Sequence, residues 1–203
     1  MPIYLGSNKS KVYLGSTRIK EGYLGSTQVW KSQFIILGTG SEVSGSFAGT
    51  TSVGYAWRGN TAPAFTATTT AGISRFRVYY AYPSGYGAGN IYLNTSVSLT
   101  GYSTCTFKFD NAVNYTDWAF QIGFVSSIPT DTTYGGTGWT AYGNNAEMIT
   151  CAKAYVIDGT ALSRGTYSFD ISSLSGNYYL TVGLIQKGNS GSKLIKISSV
   201  ILS

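Results

Sequence analysis

The stretch TCTFKFD (104–110) alternates without a break: Cys105, Phe107 and Phe109 fall on one side, Thr104, Thr106 and Lys108 on the other. A period of two marks a strand with one face in a core and one in water. The same beat runs through SRFRVYYAY (74–82), where Phe76, Val78 and Tyr80 oppose Arg75, Arg77 and Tyr79. Working outward, strands are expected at Gly54–Trp57, Ser74–Ala81, Ile91–Leu99, Thr104–Phe109 and Trp118–Val125, then at Glu147–Ile157, Gly165–Asp170, Tyr178–Gln186 and Leu194–Leu202. Clusters of Gly, Pro, Asn or Ser part them, which is turn chemistry. No stretch has a convincing helical period. The chain therefore reads as all-β: an antiparallel β-sandwich whose strand number, about eight or nine, suits a jelly roll.

Composition supports this reading. Charged residues make up 11% of the 203 residues, against about a quarter in an average soluble domain. Aromatics reach 15%, which excludes a disordered composition. Hydroxyls take the place of charges on the polar faces. Trp118 is assigned to the core, and so is Trp57, with Arg58 at its rim. Cys105 falls in phase with Phe107 and Phe109, which favours a buried free thiol; whether it bridges to Cys151 the sequence leaves open. No apolar run approaches the roughly 20 residues of a membrane span, and no secretory signal is expected.

The N-terminal segment states YLGS three times, at 4–7, 13–16 and 23–26. Gly-Ser followed by Asn or Thr favours a turn, and the β-branched and aromatic flanks favour extended backbone. Each unit is thus a short strand, a tight turn and another short strand. Three such units cannot bury their own apolar row of Tyr4, Leu5, Tyr13, Leu14, Tyr23, Leu24 and Trp30. The row is read as a docking device. Residues 1–33 form this anchor, 34–46 a Gly/Ser-rich junction, and 47–203 the sandwich; Phe34–Leu37 could close the anchor or open the sandwich. The anchor also holds five cations against one acid, out of a net charge of +6 for the chain. They stand singly rather than in a run, which argues against nucleic acid and for a soluble edge or an acidic protein partner.

Histidine is absent, so Ser-His-Asp and Cys-His catalysis and the usual histidine zinc sites are excluded. A glycosidase needs only two carboxylates. Yet Glu42, Asp110, Asp117, Asp131, Glu147, Asp158 and Asp170 form no pair in the sequence. No catalytic residue, metal ligand or cofactor is assigned. The segment PTDTTYGGTGWTAYGNN (129–145) has no clear strand and carries Asp131, Tyr134, Trp139, Tyr142, Asn144 and Asn145. Long loops in compact domains are often functional. Its rings could stack on sugar faces while the carboxylate and amides fix hydroxyls; the plainer alternative is that they cap the end of the sandwich. Tyr82 and Tyr86 on AYPSGYGAGN (81–90) form a second, weaker candidate.

The YLGS-type repeat resembles N-terminal segments of tailed-phage and prophage virion proteins. The phrases VSLTGYSTCTFKF (97–109), YSFDISSLSGNYYLTVGLI (167–185) and KISSVILS (196–203) resemble jelly-roll domains of phage appendages, which are similar to non-catalytic carbohydrate-binding modules. The resemblance implies a virion structural protein, a head fibre, decoration or tail appendage. Its N-terminal repeats would be fixed to capsid or tail proteins, and its outer domain displayed towards a cell-surface glycan. It also implies a homo-oligomer, commonly a trimer, made in the host cytoplasm, with no membrane insertion. Two alternatives stay open: a purely structural decoration protein without a ligand, and a carbohydrate-binding protein unconnected with a virus. Deleting residues 1–33 is expected to leave a folded, soluble domain by circular dichroism; loss of folding would make the repeat part of the same core.

Overall fold

The structure is a computed structural model. It describes residues 12–14, 17–19, 21–24, 26–31, 33–39, 41, 43, 53–59, 64–70, 73–80, 86–114, 116–130, 137–141, 147–187 and 191–203. The elements in chain order begin with β1 (Val12–Leu14), β2 (Thr17–Ile19), β3 (Glu21–Leu24), β4 (Thr27–Lys31), β5 (Phe34–Leu37) and β6 (Val53–Gly59). There follow β7 (Ala64–Thr70), β8 (Ile73–Tyr80), β9 (Tyr86–Leu93), β10 (Val97–Ser98), β11 (Thr104–Phe109) and β12 (Trp118–Val125). The last are β13 (Trp139–Ala141), β14 (Glu147–Ile149), β15 (Lys153–Asp158), β16 (Gly165–Asp170), β17 (Asn177–Lys187) and β18 (Gly191–Leu202).

Two antiparallel sheets carry the fold, one in the order β15-β12-β17-β9-β6 and the other in the order β16-β11-β18-β8-β7. Their common part is the order β9-β17-β12-β15 in one sheet and β8-β18-β11-β16 in the other. Consecutive strands β8 and β9 thus lie at matching positions of opposite sheets, beside β18 and β17, with β11 and β12 next and β16 and β15 at the rim. That is the strand order of a jelly roll, a long hairpin rolled up so that each arm contributes to both sheets. The all-β sandwich expected from the alternation is the observed fold.

The core is where the alternation placed it. Along β11, Cys105, Phe107 and Phe109 have no exposed surface, while Lys108 between them is exposed. Phe107 and Phe109 meet edge to face at 5.3 Å, and Phe109 meets Phe120 of the opposite sheet at 5.0 Å. Such tilted contacts suit the quadrupoles of the rings. Trp118 is fully buried and donates its indole N–H to the Thr160 carbonyl at 3.0 Å, so its one polar atom is satisfied inside the core.

Four sequence expectations change. Glu147–Ile157 is not one strand: β14 pairs with β13, and the chain then crosses over, Ala152 N–H donating to the Phe124 carbonyl as β15 joins β12. Ile91–Leu99 divides too, into the end of β9 and the short β10, both of which pair with β17 on either side of the bend at Asn94. In the first case the backbone changes partner, and in the second it bends between two stretches on the same partner; period alone reveals neither. The Thr-rich AFTATTT forms β7, unmarked by large alternating residues. And 129–145, read as strandless, contains β13. Phe34–Leu37, left open between anchor and sandwich, pairs with β18, and its Ile36 and Leu37 are in the core. Both cysteines are free thiols. Burial raises both: Cys105 beyond any range reached in neutral solution, and Cys151 to about 11.

The last large element is the β13–β14 hairpin, laid over the outside of the β15-β12-β17-β9-β6 sheet. Glu147, Met148 and Ile149 are all buried there. Asn90 projects from β9 and treats β14 as a neighbouring strand: its Nδ2 donates to the Glu147 carbonyl at 3.1 Å, and its Oδ1 accepts from Ile149 N–H at 3.2 Å. Gln121 of β12 donates from Nε2 to the Ile149 carbonyl at 2.6 Å. Beneath the hairpin, Gly183 has no room for a side chain: a Cβ would come within 2.5 Å of Met148 Sδ and 2.8 Å of Asn90 Oδ1.

Phe107→Ala is expected to cost about 3–5 kcal/mol, read as a lower urea midpoint with an unchanged slope. Gly183→Val is expected to push the hairpin off the sheet at a cost of about 1–3 kcal/mol. In wild-type protein at pH 8 both thiols should resist iodoacetamide. In Gly183→Val, mass spectrometry should find Cys151 alkylated and Cys105 untouched.

Candidate functional site

With its middle covered, the outer face of this sheet is open at the end where β9 and β12 leave it. The alternation that sends Ile91 and Leu93 inward turns Tyr92 outward; Leu180 and Val182 likewise fix Tyr179 and Thr181 on the outside. Thr181 is the register partner of Tyr92, and Tyr179 that of Val125. Tyr92 and Tyr179 are therefore diagonal neighbours on one face, within reach of each other for aromatic side chains. Both are half-buried.

Beyond them the chain turns. After Leu93 it bends at Asn94, and after Val125 it bends at Ser126 and Ser127. β17 lies between β9 and β12, so these two bends face each other across the start of β17. The result is a groove of about 390 Å³ lined by Tyr92, Asn94, Ser126, Ser127, Ile128 and Tyr179. A second hollow of about 390 Å³ lies on the far side of the same 126–128 segment, reaching to Pro129, Thr137, Gly138 and Thr150. Its floor is tied to the hairpin: Thr150 N–H donates to the Gly138 carbonyl at 2.9 Å, and the Thr140 and Thr150 hydroxyls are 2.8 Å apart. Ser126 and Ser127 form the ridge shared by the two hollows.

Among the described residues, no acidic or basic side chain lines either hollow. What the arrangement offers is two ring faces, one amide and several hydroxyls over an apolar floor, an arrangement suited to holding an uncharged, hydroxyl-rich ligand by stacking and hydrogen bonds. Two described carboxylates stand elsewhere and are engaged. Asp110 accepts from Arg164 at 3.1 Å. Asp170 accepts from the Ser172 backbone N–H at 3.0 Å, and the hydroxyl and backbone of Ser172 together hold it below the ordinary carboxylate range. Among the described residues, no three His, Cys, Asp or Glu side chains gather as a metal set.

Of the site residues named from sequence, Asp131, Tyr134, Tyr142, Asn144 and Asn145 lie outside the described residues. Trp139 stands in β13 as the register partner of Ile149, so its strand belongs to the hairpin that roofs the sheet. Of the docking row, Tyr4 and Leu5 lie outside the described residues. Tyr13 and Leu14 fall on β1, Tyr23 and Leu24 on β3, and Trp30 on β4. β1 pairs with β2 and β3 with β4, two hairpins turning at the YLGS phrase as the repeat suggests. The groove residues Tyr92, Asn94, Ser126, Ser127 and Tyr179 were missed from sequence. Their signal was present in NIYLN and NYYLTV, where a tyrosine stands out of phase with the core residues on either side.

No protein-family model and no curated protein matches the chain. Solved structures do resemble it. A family 11 carbohydrate-binding module from Clostridium thermocellum, in complex with a beta-1,3-1,4-mixed-linked tetrasaccharide, is 12% identical over 84% of this chain and 94% of its own, with a TM-score of 0.43. A low-affinity xylan-binding module of family 86 from Roseburia intestinalis is 13% identical over 76% of this chain and 96% of its own, at 0.38. The enzymatically active domain of tailspike protein 4 of bacteriophage CBA120 is 12% identical over 82% of this chain but only 22% of its own, at 0.43. Likenesses this distant transfer no ligand, site or activity to this chain.

Proposed function

We propose that this chain is a non-catalytic module that binds a neutral glycan at the Tyr92–Tyr179 groove. The single observation that carries the reading is this groove itself: two outward tyrosines on one sheet face, with Asn94, Ser126 and Ser127, and no charged side chain among the described lining residues. Sugar rings present flat C–H faces that stack on tyrosine, and their hydroxyls pair with amides and serines. An open hollow without a deep pocket gives modest affinity per site, which many copies on one support can raise. The engaged carboxylates Asp110 and Asp170 favour binding over hydrolysis.

The second part of the reading concerns the anchor. Among the described residues, β1–β4 pair only within their own hairpins and with neither sandwich sheet, which supports a segment made to join something else. We place that partner in a virion, on the resemblance of the YLGS repeat. There the chain would serve as a capsid or tail appendage, with the sandwich displayed to a host-surface glycan and several copies on each particle.

On a panel of immobilised neutral polysaccharides, the full chain is expected to bind at least one. Tyr92→Ala and Tyr179→Ala should each weaken that binding about tenfold, or about 1.4 kcal/mol, with an unchanged urea midpoint. Silence across the panel, or binding indifferent to both substitutions, would leave a structural decoration protein as the better reading.

A further inference from the structure

We propose that β15 is a dimerisation edge, pairing antiparallel with β15 of a second copy of the chain about a two-fold axis at Val156. β15 is the rim of its sheet, and among the described residues no strand lies beyond it. Gly159 N–H donates to the Trp118 carbonyl at 2.9 Å, and the ladder with β12 keeps that register from Asp158 opposite Ala119 to Lys153 opposite Phe124. Bonded pairs alternate along an antiparallel ladder. Tyr155 and Ile157 therefore bond β12, and the N–H and C=O of Ala154 and Val156 point to the open side.

This edge lacks the usual guards. Proteins blunt an exposed edge with proline, a bulge, charge along its length or a very short strand. β15 reads KAYVID, six residues without proline, and pairs with β12 without a shift of register. Its charges, Lys153 and Asp158, stand only at the two ends. Among the described residues Val156 is the one large hydrophobic side chain left exposed, at 44%. Tyr155 and Ile157 on either side of it turn to the core, so Val156 is on the outer face. The rim of the other sheet, β16, runs beside β15, with the Tyr155 and Tyr167 rings 5.6 Å apart. That rim is guarded, because Thr166, Ser168 and Asp170 are its exposed side chains.

The occupant follows from the strand, which is complementary to itself. A two-fold axis at Val156 sets that side chain against its own copy and Tyr155 opposite Ile157 of the second copy, an aromatic–β-branched pair of the kind that favours a sheet. It also brings the Lys153 end of each strand beside the Asp158 end of the other, so unlike charges meet and like charges stay apart. Such an interface is isologous and closes at two copies. A single strand pair buries less than the roughly 1,200–2,000 Å² of a stable complex, so this dimer dissociates on dilution. Pairing makes one continuous sheet in which β17 lies five strand spacings, about 24 Å, from its copy. Both Tyr92–Tyr179 grooves then open on the same face. The dimer does not rest on the glycan reading, and either can fail alone.

The test is sedimentation velocity of the full chain over a dilution series, with circular dichroism of each variant to establish that it is folded. Expected is a concentration-dependent dimer. Val156→Lys and Val156→Glu, each of which sets a charge against its own copy, should both raise the dissociation constant about tenfold or more. An equal mixture of the two should recover the dimer. Val156→Pro removes an N–H that β12 does not use and should also give monomer, whereas Ser168→Pro, the matching change on β16, should leave the dimer intact. A monomer at every concentration, an oligomer indifferent to the Val156 variants, equal loss in Ser168→Pro, or no recovery in the mixture would overturn the proposal.

Discussion

Everything in this sandwich depends on β12 being dry on both faces. All eight of its residues, Trp118–Val125, are buried. One side is the aromatic core, where Trp118, Phe120, Ile122 and Phe124 meet the other sheet. The other side would be the outer surface of the sheet, were it not roofed by the β13–β14 hairpin. A roof over a sheet brings polar backbone out of water, and buried backbone groups require partners. Asn90 and Gln121 supply them, standing in for the missing neighbouring strand. Gly123 and Gly183 leave the space: at Gly123 a Cβ would fall 2.5 Å from the Lys153 carbonyl and 2.8 Å from Cys151 Sγ.

The roof also decides where a ligand could sit. It closes the middle of the face and leaves the end beyond it, where among the described residues the Tyr92–Tyr179 groove and the hollow behind Ser126 and Ser127 open. What that end offers is rings and hydroxyls. On the opposite sheet Lys108, Thr166 and Ser168 are exposed on the outer face.

Much of the fold was legible in the chain. TCTFKF, WAFQIGFV and GTYSFD occupy the strands their pattern assigns, because a period of two with large residues on one side has one stable arrangement, with that side inward. The site was less legible. Attention fell on the aromatic loop 129–145, where rings stand out against glycine and threonine. The groove tyrosines were overlooked because they sit inside strands, where a tyrosine between two core residues looks like ordinary β composition. Only the opening at the end of the sheet sets Tyr92 and Tyr179 in a groove.

By itself the sequence determined the secondary structure class and the inward face of each well-patterned strand, since these depend on local backbone preference and side-chain period. The tertiary structure decided the rest: that EMI (147–149) leaves the sheet to roof it, that FIIL (34–37) joins β18, and that Tyr92 and Tyr179, 87 residues apart in the chain, line one groove. The reason is physical. Alternation specifies which side of a strand avoids water but not what will cover it, and a partner distant in sequence leaves no periodic trace in the strand it covers.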